Sequence, residues 1–476
     1  MSRFIEGESR NQATLFTEAL DDYITEENPV RVVDIFVNEL DLSKLGFTTI
    51  PAWTGRSAYH PASMLKLFIY GYLNKIQSSR RLEKEAGRNV ELMWLIQRLA
   101  PDFKTIADFR RDNTQPIKSV CREFVQLCQK LELFSEAIVA IDGSKFKAVN
   151  ARDRNFSKTK IKKRLKQIEK SIDDYLSQIE SADRQDEQTA KLRTERLEGK
   201  IAKLREEVKQ LNKIDQQLDK QTDKQLSLTD PDARSIATAG KGIVGYNVQT
   251  AVKTKHHLIV AHEVTNDVTD KGQLFNMASK AQQAMDTETL EVLTDRGYFN
   301  SLEIKACDEA GIRTYLPKPQ TSGNQSKGYF GRRDFIYIPE DDEYECPAGE
   351  RAEYRFSREE SGKVMKRYWS KSCVSCSLKP KCTSGRERRI VRWEHEDILD
   401  QLESRMDHNP RAMITRRSTV EHPFGTIKSW LTHNNHFLVK TLDRVGAEMS
   451  LHVLAYNMKR VINILGTSKL IAAMQE

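Results

Sequence analysis

Long apolar runs are missing from this chain. Hydrophobic residues make up 38% of its 476 positions and charged residues 30%, and mean hydropathy is −0.61. No stretch approaches the ~18 consecutive apolar residues of a membrane-spanning helix, which excludes helical membrane enzymes and transporters. The apolar core of a secretory signal is absent too, because the chain opens Met1-Ser2-Arg3-Phe4-Ile5-Glu6-Gly7-Glu8. Cysteine is scarce and odd in number, at seven. That argues against a disulfide framework and for a reducing compartment. The expected location is the cytoplasm.

What is present is charge. Lys and Arg total 76 against 68 Asp and Glu, a net +8, with a pI near 8.9. The excess is uneven. Lys145 to Lys170 holds eleven Lys/Arg against only Asp153 and Glu169, a local imbalance that attracts a polyanion, nucleic acid above all. An association with the nucleoid follows.

At roughly 100–200 residues per domain, the length suggests two to four domains. Residues 1–135 read as helical, with Pro61 opening the apolar run to Leu73, Ser78-Ser79-Arg80-Arg81 offering a cap and two cations, and another helix near Thr105. This is either a DNA-end-binding domain or a packing module. Ala137-Ile138-Val139-Ala140-Ile141-Asp142 is a short strand ending in a carboxylate, and Leu290-Glu291-Val292-Leu293-Thr294-Asp295 is a second. Strands at 245–252 and 257–264, then helices near 271–285, 302–310, 415–431 and 442–465, complete the pattern. Between them, Ile161, Leu165, Ile168, Ile172, Tyr175 and Ile179 step by four and three, and a second seam runs from Leu197 to Leu218. These describe either a coiled helical hairpin over 156–228 or a solvated spacer. Residues 318–410 read as irregular.

Without the two interruptions, the order matches an α/β ribonuclease-H-like mixed sheet. Its catalytic core would comprise 136–155, 229–317 and the final helices of 411–476. The hairpin and a cysteine-bearing region would be insertions, and the all-helical domain would lie at the N-terminus.

Ligands in open α/β sheets bind at strand ends. Neighbouring Asp142 and Asp295 would repel unless a cation neutralised them, and Mg²⁺ with oxygen ligands does so. Glu421 on a later helix would complete a site for two Mg²⁺ ions about 3.5–4 Å apart. Taken alone, each Asp reads more simply as a turn or helix cap; it is their ordered recurrence at two strand ends, with Glu421, that points to a metal site. Asp270 reads as an extra acidic residue or, more simply, an N-cap.

These motifs resemble bacterial insertion-sequence transposases of the DDE type. Asp142-Gly143-Ser144-Lys145 is similar to the first-Asp strand end, and Thr294-Asp295-Arg296-Gly297-Tyr298 to the second-Asp motif. Arg417, Glu421 and Lys428 match the spacing of the Tyr-x2-Arg-x3-Glu-x6-Lys signature, with Ile414 in the place of Tyr. The resemblance implies a DNA transposase that cleaves the ends of its element and joins them to target DNA by two-metal phosphoryl transfer. It also implies a homodimer bridging two terminal inverted repeats on double-stranded DNA. Asp142, Asp295 and Glu421 would hold metal, while Lys145, Arg417, Lys428, Arg80 and Arg81 would contact DNA. Two other readings remain: a nuclease of the same fold without strand transfer, and a non-catalytic zinc-containing DNA-binding protein.

Cys346 and Cys373-x2-Cys376-x5-Cys382 form a donor set suited to a structural Zn²⁺, against free thiols or a redox pair. Similar transposases carry a comparable cluster before the final Glu. Cys121, Cys128 and Cys307 read as packing residues. Trp393 and Trp430 read as core residues or as platforms for an unpaired base.

Overall fold

A computed structural model describes residues 18–475, apart from 51–56, 151–153, 183–186, 221–223, 238–241, 320–322 and 432–435. Residues 1–8, read above for a targeting signal, lie outside the described residues. The first elements are helices: α1 (Pro29–Asn38), α2 (Pro61–Leu73), α3 (Ser79–Ala86), α4 (Val90–Leu95), α5 (Phe103–Asp112) and α6 (Thr114–Lys130). Local chemistry sets their starts. Asn28 and Asp102 accept the backbone N–H groups of Val30 and Thr105, and Pro occupies the first turn of α1 and α2. As its apolar run predicts, α2 is buried on nearly all sides from Met64 to Tyr72.

The next elements are β1 (Ile138–Lys147), β2 (Asn155–Ser157), α7 (Lys158–Ala182), α8 (Glu187–Asp219), β3 (Gln225–Ser227), β4 (Arg234–Ile236), β5 (Ile243–Lys253), β6 (Ile259–Thr265), α9 (Leu274–Met285), β7 (Leu290–Leu293), α10 (Ser301–Glu309) and β8 (Ile312–Tyr315). They build a mixed sheet in the order β4-β5-β1-β7-β8, with β6 also pairing β5. β1 and β5 are antiparallel, while β1, β7 and β8 run parallel. One apolar core joins this sheet to the N-terminal helices, from Val33 and Phe36 through Phe124 to Val139, Ile141 and Val252.

β1 corrects the expectation of a strand that stops at Asp142. It continues to Lys147, with Asp142 in its middle. The continuation is hard to read because Gly143 and the polar Ser144 and Lys145 mask an alternation that buries Phe146. Only the pairing with β7 stops early, at Ala140↔Leu293. A different glycine makes the β1–β5 pairing possible: a Cβ on Gly245 would stand 1.9 Å from the Phe146 carbonyl oxygen.

α7 and α8 pack along Ile161, Ile168, Leu211 and Leu218, all buried, with Leu165, Ile172, Leu204 and Val208 around them. Arg164 pairs with Glu207 at 2.8 Å, and Lys158 with Asp219.

The stretch 318–410 is not irregular. It contains β9 (Ile336–Ile338), β10 (Glu343–Glu345), β11 (Arg351–Glu360), β12 (Lys363–Trp369) and β13 (Ile390–Trp393), followed by α11 (Glu396–His408). The strands form an antiparallel sheet in the order β13-β12-β11-β10-β9. β11 is charged on both faces, which hides the period-two signal.

α12 (Ala412–Trp430), α13 (Leu442–Leu465) and α14 (Thr467–Gln475) close the fold. α12 runs through Pro423 without ending there. Proline removes the N–H that would bond the Thr419 carbonyl, and the His257 side chain meets that carbonyl instead. α13 packs against α2, α6, β6 and α12, and residues 445–458 are buried without a break. No helix among the described residues is long and apolar enough to cross a membrane.

Candidate active site

Asp142, within β1, and Asp295, just past the end of β7, occupy equivalent positions relative to the pairing of these neighbouring strands. Each lies two residues beyond the last pair of the parallel β1–β7 ladder, Ala140↔Leu293. Asp295 also caps the short helical turn Arg296–Tyr298, accepting the Gly297 N–H at 2.8 Å. The capping role and a place beside Asp142 therefore coexist.

A cation stands between the two carboxylates. Arg416 Nη2 donates to Asp142 Oδ1 at 2.6 Å and lies 3.5 Å from Asp295 Oδ2. Burial pushes the Asp142 carboxyl up to about 6; Arg416 opposes that shift, and Asp295 and Asp270 add to it. Arg416 is absent from the sequence-based site, although a signal exists. Ala412, Val420, Pro423 and Ile427 line the inward stripe of α12, and Arg416 falls on that stripe at i+4 from Ala412.

α12 also carries Glu421. Val420 packs with Ala140 and Leu293 directly below the two aspartates, which fixes the adjoining backbone. Glu421 itself is exposed and has no hydrogen bond or ion pair among the described residues. Arg417 is exposed on the same face. Lys428 turns inward, donating to Ser144 Oγ at 2.6 Å with its ammonium over the Phe146 ring. Burial lowers its pKa, and Asp142 opposes that shift.

Lys145 is already engaged, 3.0 Å from Asp270 Oδ1. The same oxygen accepts Asn247 Nδ2 and Gln249 Nε2, each at 2.7 Å. Asp270 does not cap α9, whose N-cap is Gln273. The Tyr298 hydroxyl donates to Gln249 Oε1. Burial raises the Tyr298 pKa well above the phenol value, reinforced by Asp270, Asp142 and Asp295. The two amides are the residues that sequence reasoning misses here. Their signal is alternation: Asn247 and Gln249 interrupt an apolar strand at period two.

Arg80 and Arg81 are exposed on α3, with Arg80 over the Phe103 ring. Trp393 and Trp430 are buried at 3% and 7% exposure, which excludes the base-stacking role. His422 binds the Tyr456 hydroxyl at 2.8 Å and stacks on His257. Cys121, Cys128 and Cys307 are buried in the core. Cys346, Cys373, Cys376 and Cys382 line one cavity of about 30 Å³, together with Phe330 and Leu378. Among the described residues, no group of three or more His, Cys, Asp or Glu side chains has an arrangement that could hold a metal ion as it stands.

A family model described as "Transposase DDE domain" matches residues 135–458, and one described as "Transposase domain (DUF772)" matches residues 18–112. No curated protein matches the chain. Among solved structures, a piggyBac transposase synaptic complex with hairpin DNA, determined by cryo-electron microscopy, aligns with 94% of this chain and 79% of its own. The identity is 9% and the TM-score 0.36, a likeness too loose to support a conclusion.

Proposed function

The chain belongs to the family of DDE transposases and is a DNA transposase of the insertion-sequence kind; from that premise we propose that Asp142, Asp295 and Glu421 form its reaction centre. The observation that carries this reading is the equivalent placement of Asp142 and Asp295 beyond Ala140↔Leu293, bridged by an arginine from the helix that bears Glu421.

The donor chemistry fits hard divalent cations, since all three groups are carboxylates. Two Mg²⁺ ions held there would activate the attacking oxygen and neutralise charge on the leaving oxygen. The rest is done by this chain's own side chains. Arg416 neutralises Asp142 and Asp295, and it has to give up those contacts when the carboxylates take cations. Above a pH of about 6 Asp142 is ionised and able to ligate. Lys428 holds Ser144 beside the strand, while exposed Arg417 supplies a phosphate contact.

The larger assignments follow the same reading. The core is ribonuclease-H-like, made of 136–155, 229–317 and 411–476. Residues 1–135 recognise the terminal inverted repeats through Arg80 and Arg81. The coiled hairpin over 156–228 is an insertion whose basic base faces DNA. The 318–410 insertion is stapled by one Zn²⁺ on Cys346, Cys373, Cys376 and Cys382, a reading supported by the one cavity that all four line. The working form is a homodimer on DNA at the nucleoid.

The deciding experiment is cleavage and strand transfer on a labelled duplex bearing the element's end, with Mg²⁺, comparing the wild type with Glu421→Gln. The expected result is cut and joined products from the wild type and none from the variant, with DNA binding retained by both. Cutting without joining favours the nuclease reading. Binding by both proteins with no cutting by either overturns the catalytic reading.

A further inference from the structure

A fourth carboxylate lies close to the proposed centre but behind it. Asp142 meets Arg416 of α12 on one face of β1. Side chains of the next residue point to the opposite face, and that is where Asp270 sits. A Cβ placed on Gly143 would stand 2.6 Å from Asp270 Oδ1 and 2.4 Å from Gln249 Nε2. Gly143 and Gln249 are directly paired across the β1–β5 ladder, as are Lys145 and Asn247. The missing side chain at 143 is the space that this network fills.

The Asp270 carboxylate is saturated by neighbours. Lys145 reaches both oxygens, at 3.0 and 3.3 Å, and Asn247 and Gln249 each donate to Oδ1 at 2.7 Å. Gln249 and Asn247 are fully buried, so each amide depends on such partners. Gln249 spends its other end on the hydroxyl of Tyr298, three residues after Asp295 and 1% exposed. The result is a continuous chain from Asp270 through Gln249 and Tyr298 to the turn that presents Asp295. A second branch runs through Lys145 to the strand that presents Asp142.

We infer that Asp270 is a positioning residue for transposition: with Lys145, Asn247 and Gln249 it clamps the strand of Asp142 to the turn of Asp295 from behind the sheet, and it is not a metal ligand. The inference rests on the assignment of those two aspartates to the reaction centre. Groups that orient ligating carboxylates without touching the metal typically cost about 10–100-fold in activity or metal affinity when removed. Asp270 acts by geometry, so an acceptor oxygen at its position retains most of the effect.

The test uses the full chain on the labelled element-end duplex, with rates taken at saturating DNA. Asp270→Ala is expected to cut about 10–100-fold more slowly than the wild type with its DNA Kd unchanged. Asp270→Asn keeps the Oδ1 acceptor and is expected within about 5-fold of the wild type. Tyr298→Phe removes one hydroxyl and is expected to slow cutting several-fold. The double variant Asp270→Ala/Tyr298→Phe should be no slower than Asp270→Ala alone, because both break the same chain. Mn²⁺ binding followed by electron paramagnetic resonance should give the same ion count for the wild type and Asp270→Asn. Asp270→Asn as inactive as Asp142→Asn, with loss of a bound Mn²⁺, would make Asp270 a ligand and overturn the inference. So would an Asp270→Ala that cuts at the wild-type rate, or full additivity with Tyr298→Phe. Should Asp270→Ala fail to fold, the Asn and Phe variants carry the test. A wild type that does not cut, or a Glu421→Gln that cuts equally well, defeats the underlying assignment instead. Backbone hydrogen exchange in residues 295–298 then decides the clamp: faster exchange in Asp270→Asn/Tyr298→Phe supports it, and unchanged exchange overturns it.

Discussion

Arg416 lies across the mouth formed by Asp142 and Asp295, 2.6 Å from the first and 3.5 Å from the second. The charge of the two carboxylates is thus partly offset by a side chain of the helix that also carries Glu421.

Arg416→Ala should therefore destabilise the metal-free protein in a pH-dependent way. Asp142 titrates at about 6 in the folded chain, above the ordinary carboxylate value of about 3.9. A folded pKa raised in this direction means that ionising Asp142 costs stability, and the cost grows as pH rises from about 4 to 6 and then levels off. Removing Arg416 takes away the opposing charge. The expected outcome is a loss of about 1–3 kcal/mol at pH 7 in EDTA, a smaller loss at pH 4.5, and partial recovery with Mg²⁺. Thermal unfolding under the three conditions checks it.

Two glycine substitutions separate architecture from chemistry. Gly245→Ala drives a methyl group to 1.9 Å from the Phe146 carbonyl oxygen. Backbone cannot swing away, so the β1–β5 pairing opens, with an expected loss above about 3 kcal/mol and poor soluble yield. The contacts nearest to a methyl group in Gly143→Ala are all side chains, those of Gln249, Asp270 and Asn247. This variant should stay folded while cutting more than about 10-fold more slowly. Denaturant melts and cleavage rates on both variants give the comparison.

His452 makes the fold acid-labile. The ring is fully buried against Tyr72, neither nitrogen has a hydrogen-bond partner among the described residues, and burial pushes its pKa down to about 3. Below the unfolded value of about 6.5 the unfolded chain binds a proton that the native chain refuses. The contribution is present in full above about 6.5 and falls by about 1.4 kcal/mol per pH unit down to about 3. His452→Phe should raise the melting temperature at pH 5.5 by more than at pH 7.5. An equal shift at both values would refute the assignment.

One Zn²⁺ per chain is expected from metal analysis of protein purified without chelator. Cys376→Ser should release it and loosen the β9–β13 sheet, while α1–α6 keep their protection from exchange. A metal-free wild type with four reactive thiols would leave the cluster as ordinary cysteines.

The sequence was most legible where one physical signal acted alone. The apolar run from Pro61 to Leu73 and the helix expected from Leu442 to Leu465 each correspond to a helix with those bounds, because the burial of nearly all of the first, and of 445–458 in the second, leaves no competing pattern. The parallel strands Ile138–Ala140 and Leu290–Leu293 were legible for the same reason. β11 was not, since Arg351–Glu360 places charge on both faces and leaves no period-two alternation to read, although its strand partners are its sequence neighbours β10 and β12. Arg416 looks like any surface arginine beside Arg417; only the register of α12 against β1 and β7 gives it a partner 274 residues away. Asp270 looked like a cap because it stands four residues before α9, yet its side chain turns back to the sheet. Local patterns identify elements. Which polar groups meet is decided by tertiary register.

α13 supplies the common wall for two bodies of structure that are far apart in sequence. It is buried on every side from 445 to 458, between the N-terminal helices and the sheet. Gln77 reinforces the junction by donating to the Trp430 carbonyl at 2.9 Å, at the end of α12. For a mobile gene this has a genetic consequence. A stop codon or frameshift anywhere before codon 445 removes the support of α2 and α6 as well as that of the sheet. A truncated copy of the gene is therefore expected to yield no stably folded N-terminal fragment.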